Sequence, residues 1–204
     1  MNLTRRSFAM SAAAAALTPA GAFAQSDDPA VILANVELYL NAITTLDSRF
    51  VQLNQDGTTT TGAFQLKRPS FARIAYDDPP TLLIARGQKY MFWDAEIGQF
   101  YEGPVSTSPV SVLLRPDVKL DEVTNVLDIR RDKGFLMVTL EPADEPGTGL
   151  LTLAFDEDPM NLRQWFVRDA QGFVTRITLV EVAYGVELDD DLFDLDHTDL
   201  IRPD

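Results

Sequence analysis

The sequence lacks cysteine and has one histidine among its 204 residues. The absence of cysteine excludes disulfide bonds, a thiol nucleophile and a lipid-modified cysteine in this chain. The one histidine, His197, lies in an acidic stretch near the C-terminus and is interpreted as a surface residue. A histidine-based triad would have one candidate base and no nucleophile motif, because the chain has neither a Gly-x-Ser-x-Gly motif nor a glycine-rich phosphate loop.

Basic residues are also scarce. The chain has 17 Lys and Arg against 31 Asp and Glu, which gives a net charge of −14 at pH 7. A surface with this charge repels nucleic acid and anionic lipid headgroups, so no nucleic-acid partner is expected.

The acidic residues do not form a recognisable site in the sequence. The run Asp189–Asp191 lacks the glycine and the spacing of an EF-hand loop, and it is interpreted as part of a solvated acidic tail. Asp94 and Glu96 share one turn, which fits solvated carboxylates better than a glycosidase pair. We therefore expect no metal, no cofactor and no enzymatic activity.

The first 24 residues have the layout of an export signal. Arg5-Arg6 precedes an apolar, alanine-rich run, and Ala22-Phe23-Ala24 offers small residues where a signal peptidase cuts. The Thr-Arg-Arg-x-Phe core is typical of a bacterial twin-arginine signal, although Arg5-Arg6 also suits the general secretory route. The alternative, a membrane anchor, needs a longer apolar run.

This signal defines the expected mature protein. We expect residues 1–24 to be removed and residues 25–204 to form one domain in the periplasm. The signal holds two arginines and no acidic residue, so 15 basic and 31 acidic residues remain and the charge becomes −16.

Hydrophobic periodicity predicts one helix followed by many short strands. Asp28 followed by Pro29 is a helix start, and one face of a helix over residues 29–44 carries the apolar residues Leu33, Val36, Leu40 and Ile43. Strands are predicted at about residues 82–86, 90–93, 98–102, 123–130, 135–141, 149–156, 162–168 and 173–183, after earlier ones around Phe50, Phe64 and Ile74. The short spacing without β-α-β alternation favours one antiparallel sheet, strongly curved or closed into a barrel.

Residues 103–119 interrupt the strand pattern with several prolines. A short second helix from Ser108-Pro109 to Leu114 is predicted there. A curved sheet has an inner face, for which the candidates are Phe50, Phe64, Leu66, Ile74, Leu83, Met91, Trp93 and Phe100. The two helices either fill this concavity as an ordinary core or form a movable lid over an apolar pocket of the kind that an acyl chain needs.

Arg68 is the charge that stands out. Strand alternation places it on the same face as Phe64 and Leu66, where a buried arginine needs carbonyl or carboxylate partners. The alternative is that the strand ends at Pro69, so that Arg68 lies at a solvated rim. The residues alone leave both open.

Several segments together resemble the LolA family of periplasmic lipoprotein carriers. Phe50-Val51-Gln52 is similar to the Phe-x-Gln of the family's first strand, and Gly62–Pro69 resembles its segment ending in Lys-Arg-Pro. Gly87–Asp94 resembles the family's strand ending in Trp, and Ser108–Leu114 lies where the family has a lid helix. The likeness covers about residues 46–115.

The resemblance implies an incomplete antiparallel β-barrel with helices as a lid over an apolar cavity. It implies a monomer that binds the acyl chains of lipoproteins, receives them from an inner-membrane ABC transporter of the LolCDE type and delivers them to an outer-membrane receptor of the LolB type. Arg68 would be the lid latch, and the lid would add Val110, Leu113 and Leu114 to the cavity lining. A LolA-like carrier of another lipid, or a β interaction domain without a ligand, are the alternatives.

Overall fold

The structure is a computed structural model that describes residues 27–194. The expected signal peptide and His197 lie outside these residues. The helices are α1 (Pro29–Ala42), the 3₁₀ helices η1 (Val105–Thr107) and η2 (Pro109–Leu114), α2 (Leu120–Val123) and the 3₁₀ helix η3 (Asp190–Phe193). The strands are β1 (Thr45–Leu53), β2 (Thr59–Lys67), β3 (Phe71–Tyr76), β4 (Leu82–Arg86), β5 (Lys89–Asp94), β6 (Gln99–Pro104), β7 (Thr124–Asp132), β8 (Phe135–Pro142), β9 (Gly149–Glu157), β10 (Met160–Asp169) and β11 (Val174–Tyr184).

All eleven strands form one antiparallel sheet, which confirms the predicted fold class. Their order is β6-β5-β4-β3-β2-β1-β11-β10-β9-β8-β7, so the sheet has two edges and does not close into a barrel. The chain runs outward from β1 to one edge at β6 and returns from the other edge at β7 to β11, which pairs with β1. Residues 105–123 join the two edges, and we call them the crossover segment.

The helix α1 begins where the sequence predicts. Asp28 Oδ1 accepts a hydrogen bond from the backbone N–H of Ala30 at 2.9 Å, and Pro29 occupies the first turn. The predicted buried face is slightly rotated, since Ile32 is buried where Leu33 was expected to be and Leu33 is only partly covered. The helix is apolar nearly all round, so its sequence does not define the buried side sharply. No helix within residues 27–194 is both long and apolar enough to cross a bilayer.

The main core lies between the sheet and two covering elements, α1 and the crossover segment. We call this side the inner face. Its buried residues include Val36 and Leu40 from α1, Val112 from η2 and Phe64 from β2. Burial of each such side chain contributes about 1.5–3 kcal/mol, which holds the helices against the strands.

The opposite, outer face of β3–β5 is covered by residues 185–194, which we call the C-terminal cover. Phe193 of this cover is fully buried, and its ring centroid lies 5.7 Å from that of Phe71. Lys67 Nζ donates to the carbonyl oxygen of Leu188 at 3.0 Å and also contacts Asp190. The carboxylates of Asp189–Asp191 are exposed as expected, but this segment is not a free tail, because Leu188 and Phe193 are buried against the sheet.

Candidate ligand cavity

A cavity of about 590 Å³ lies between the inner face of the sheet and the crossover segment. Its wall is formed mostly by apolar side chains, and it is lined by Phe64, Leu66, Ala72, Ile74, Leu83, Ala85, Tyr90, Phe92, Asp94, Tyr101, Val105, Thr107, Ser108, Leu113, Leu114 and Trp165. The space exists because two small residues, Ala72 of β3 and Ala85 of β4, pair across neighbouring strands. Larger side chains at these positions would fill it.

Six of the residues predicted to line a cavity do so, namely Phe64, Leu66, Ile74, Leu83, Leu113 and Leu114. Phe50 lies on the inner face as expected but does not line the cavity. Its ring is 2% exposed and meets Tyr76 edge to face, with the ring centroids 5.3 Å apart. The side chain of Val110 lies outside the described residues.

The placement of Met91, Trp93 and Phe100 on the inner face is wrong. These residues lie on the outer face, in or against the apolar cluster that holds the C-terminal cover. Their neighbours along the strands, Tyr90, Phe92 and Tyr101, line the cavity instead. Alternation separates two faces, but strands that are apolar on both faces do not show which one is inner.

Trp165 of β10 is a lining residue that sequence reasoning missed. The centroid of its ring lies 5.3 Å from that of the Phe64 ring, and the two ring planes are inclined at 65°. β10 is distant in sequence from β2. Their side chains approach each other on the inner face because β1 and β11, which lie between these two strands, pair at the centre of the sheet. Trp165 and Leu162 are the two buried residues of β10, but Met160, Phe166 and Val167 are also apolar, so the sequence did not single out the lining residue.

Arg68 joins the sheet to both inner-face covers. Its guanidinium donates to the carbonyl oxygen of Leu40 and to Asn41 Oδ1 (3.2 Å), both on α1. It also donates to the carbonyl oxygens of Arg115 (2.5 Å) and Pro116 (3.5 Å) in the crossover segment. β2 ends at Lys67, as the rim alternative supposed, but Arg68 is bonded to protein groups rather than left to solvent.

Burial lowers the pKa of the Arg68 guanidinium, and the nearby Asp117 carboxylate opposes that shift. An arginine stays charged under these conditions, so Arg68 is a cation that donates to carbonyl groups. One of its donors, Nε, is buried without a hydrogen-bond partner. An unsatisfied buried donor costs about 1–3 kcal/mol, so this arrangement does not fully satisfy the group.

Two further side chains of α1 bind the crossover segment. Asn41 bonds Val118 twice, accepting from its N–H at 2.8 Å and donating to its carbonyl oxygen at 3.0 Å. Glu37, which is 9% exposed, accepts from the backbone N–H of Leu120 at 2.8 Å and from Lys119 Nζ at 3.3 Å. Sequence reasoning missed both, although a carboxylate between the buried residues of α1 was a signal.

Asp94, one of the residues that line the cavity, has a structural role. Asp94 Oδ1 accepts from the backbone N–H groups of Glu96 (3.0 Å) and Ile97 (3.3 Å), which caps the turn after β5. Asp94 and Glu96 therefore do not face each other across a cleft. No group of three or more metal-ligating side chains occurs among residues 27–194.

Comparison with known proteins gives the family. A family model described as outer membrane lipoprotein carrier protein LolA matches residues 41–196. The outer-membrane lipoprotein carrier protein of Pseudomonas aeruginosa is 28% identical over 192 residues, covering 89% of this chain and 91% of that protein. The protein of the same name from Pseudomonas paraeruginosa matches with the same identity and coverage.

A solved structure supports the fold alone. The crystal structure of a DUF1329 family protein from Desulfovibrio piger superposes with a TM-score of 0.52 at 15% identity, covering 80% of this chain and 95% of that chain. The family model spans most of the chain, and it includes all eleven strands, the crossover segment and the C-terminal cover. This chain therefore belongs to the LolA family of outer-membrane lipoprotein carrier proteins.

Proposed function

We propose that this protein is a periplasmic carrier that holds the acyl chains of lipoproteins in the cavity beneath the crossover segment. The observation that carries the proposal is an apolar space of about 590 Å³ under a cover joined by polar bonds. This volume lies in the range of roughly 300–1,000 Å³ that is usual for ligand pockets. Membership of a lipoprotein carrier family supports the same role.

The crossover segment opens by exchanging hydrogen bonds with water and by releasing buried apolar side chains such as Val118 and Leu120. Each bond of Arg68, Asn41 and Glu37 to the crossover segment contributes about 0.5–1.5 kcal/mol net, or more where a charged group takes part, because the open groups are hydrated. Opening also gives the buried Nε of Arg68 access to water. A ligand that binds the open form better shifts this equilibrium towards it.

The proposed cycle has two partners. The protein accepts acylated lipoproteins from an inner-membrane ABC transporter of the LolCDE type and delivers them to an outer-membrane receptor of the LolB type. It works as a monomer without cofactor or metal and is not an enzyme. Export by the signal at residues 1–24 places it in the periplasm.

Cavity occupancy is tested by native mass spectrometry of the protein purified from the periplasm and by binding of an apolar dye. We expect a lipid-sized adduct and saturable dye binding, both lost in Ala85→Phe, which places a ring into the cavity. Ala183→Phe, at an exposed position of β11, is the matched control and keeps both signals. Neither adduct nor dye binding in the native protein would contradict the proposal. The adduct mass separates lipoprotein acyl chains from another lipid.

The latch is tested by transfer of a bound lipoprotein to an outer-membrane receptor. Arg68→Leu removes the bonds that hold the cover closed, so the open, loaded form is favoured and transfer slows. Arg68→Lys keeps the charge but loses the planar fork, and an intermediate rate is expected. Transfer by Arg68→Leu at the native rate would remove Arg68 from the mechanism and leave the cavity proposal standing.

A further inference from the structure

The outer face of β7–β11 carries a second concavity, on the side of the sheet opposite to the ligand cavity. Its floor lies on the two middle strands and includes the small residues Thr139 of β8 and Thr152 and Ala154 of β9, with Met137 and Leu150 beside them. The two threonine hydroxyls lie 3.0 Å apart and satisfy each other. Longer side chains on β7 and on β10 and β11 form the walls, so a groove runs along the strands.

The groove concentrates positive charge on an acidic protein. Arg130, Lys133, Arg168 and Arg176 line it, together with the acids Asp128 and Asp132. Arg130 bonds Asp128, which neutralises one pair. The other three cations form no salt bridge with any residue from 27 to 194. This local excess contrasts with a net charge of −14 for the whole chain.

The same groove exposes large apolar side chains. Leu127 is 51% exposed and Val174 is 38% exposed in its walls, and Phe173, beside Val174 in the turn before β11, is 54% exposed. Phe135 and Phe166 also line it and are partly exposed. A patch that joins apolar side chains to an excess of charge of one sign is typical of an interaction surface.

The other half of the outer face, formed by β3–β5, is already occupied by the C-terminal cover. There Lys67 contacts Asp190, and Arg86 Nη1 lies 3.7 Å from Asp194 Oδ1. Between these ion pairs, Phe193 of the C-terminal cover is buried against the strands. The occupant of that half is thus a short acidic segment with apolar anchors, supplied by the chain itself.

We propose that the groove on β7–β11 binds an acidic segment of a partner protein that carries apolar side chains, as the C-terminal cover binds β3–β5. The backbones of β7 and β10 lie three strand spacings apart, about 14 Å, which leaves room for one extended segment. An anionic membrane is disfavoured as occupant, because the floor is recessed and the rest of the surface is acidic. The proposal does not depend on what the cavity holds.

The test uses an acetylated and amidated peptide with the sequence of Val186–Asp194, titrated into the isotope-labelled protein and followed by NMR. We expect shift changes on the outer face of β7–β11 and an affinity that falls as salt is added. Arg176→Glu is expected to weaken binding about tenfold. Lys89→Glu makes the same charge change on an exposed site of β5 outside the groove and should leave binding unchanged.

A second peptide separates charge from apolar contact. The neutral version, with Asn and Gln in place of Asp and Glu, should bind about tenfold more weakly than the acidic one. Equal affinity of the two peptides, no binding, shifts confined to β3–β5, or full binding by Arg176→Glu would each overturn the proposal.

Two other occupants have their own readouts. Sedimentation with phosphatidylglycerol vesicles that is lost in Arg176→Glu, without peptide binding, would assign the groove to a membrane surface. A dimer in analytical ultracentrifugation that dissociates in Arg176→Glu would assign it to a second copy of the chain. Either result would overturn the proposal of a partner segment.

Discussion

The crossover segment and the C-terminal cover each cross one face of the same sheet, but they are held in different ways. The crossover segment is joined through Arg68, Asn41 and Glu37, it buries Val118 and Leu120, and it spans a cavity. The C-terminal cover is anchored by Phe193, which is 0% exposed. Hydrogen bonds can be exchanged with water at small net cost, whereas a buried aromatic ring loses its whole burial energy on release. Besides its buried residues, the crossover segment is held by such exchangeable bonds and faces a cavity with Leu113 and Leu114, so we expect it to open more readily than the C-terminal cover.

The largest expected effect is the loss of stability when the C-terminal cover loses its buried ring. Phe193→Ala should lower the free energy of unfolding by about 3–5 kcal/mol, because a fully buried ring is lost. Phe173→Ala, at a ring that is 54% exposed, should change it by no more than about 0.5 kcal/mol. Urea denaturation of both variants measures this difference, and similar values would mean that the cover is not firmly attached.

A leucine in each cover gives a closer comparison. Leu113→Ala in the crossover segment should cost about 2 kcal/mol, near the lower end for buried leucine, because Leu113 already faces a cavity on one side. Leu188→Ala in the C-terminal cover should cost about 3 kcal/mol, since that side chain packs within an apolar cluster. Urea denaturation midpoints, with the slopes unchanged, report both values. The reverse order would mean that Leu113 is packed more tightly than Leu188.

Independent opening of the crossover segment is expected in hydrogen exchange. In Arg68→Leu, the amides of Val118 and Leu120 should exchange about 10- to 100-fold faster, as expected for the loss of hydrogen bonds from a charged donor. The amide of Asp194, which bonds within the C-terminal cover, should exchange at its native rate. If all three amides accelerated equally, the two covers would open together.

The smallest expected effect concerns pH. The hydrogen bond and charge of Lys67 hold the pKa of Asp190 below its ordinary value of 3.8. A depressed carboxyl pKa contributes stability above the unfolded pKa, and this contribution is lost as pH falls through the folded pKa. Asp190→Asn should therefore melt at a lower temperature than the native protein at pH 7, and the two melting temperatures should converge below pH 3.8. A gap that stays constant with pH would exclude this ion pair as its cause.

The sequence predicts much of the fold because the relevant signals are local. Asp28 and Pro29 define the start of α1, and alternating apolar residues bounded by turn residues define the strands. The crossover segment is also visible, because its prolines exclude a central strand. Phe64 and Leu66 are assigned to the inner face by alternation with Gln65 and Lys67.

The remaining features depend on which elements meet across the sheet. Met91 and Trp93 lie in a strand that is apolar on both faces, so only the position of the C-terminal cover decides which face is outer. The bonds of Glu37 and Asn41 join α1 to a segment distant in the chain. The sequence does not predict the burial of Phe193, because acidic residues precede and follow it in the chain.

The pairing of β1 with β11 has a consequence for how the chain reaches its fold. Phe50 lies opposite Leu179, whereas each of the other ladders joins strands that are consecutive in the chain. The strands would form a simple up-and-down meander if the chain began at β7 instead of β1. The one pairing between strands far apart in sequence, that of β1 with β11, therefore lies at the centre of the sheet. A permutant that joins the present ends and begins within residues 105–123 would turn every ladder into a sequential one. Its lower contact order predicts faster refolding, which stopped-flow fluorescence of its two tryptophans would measure.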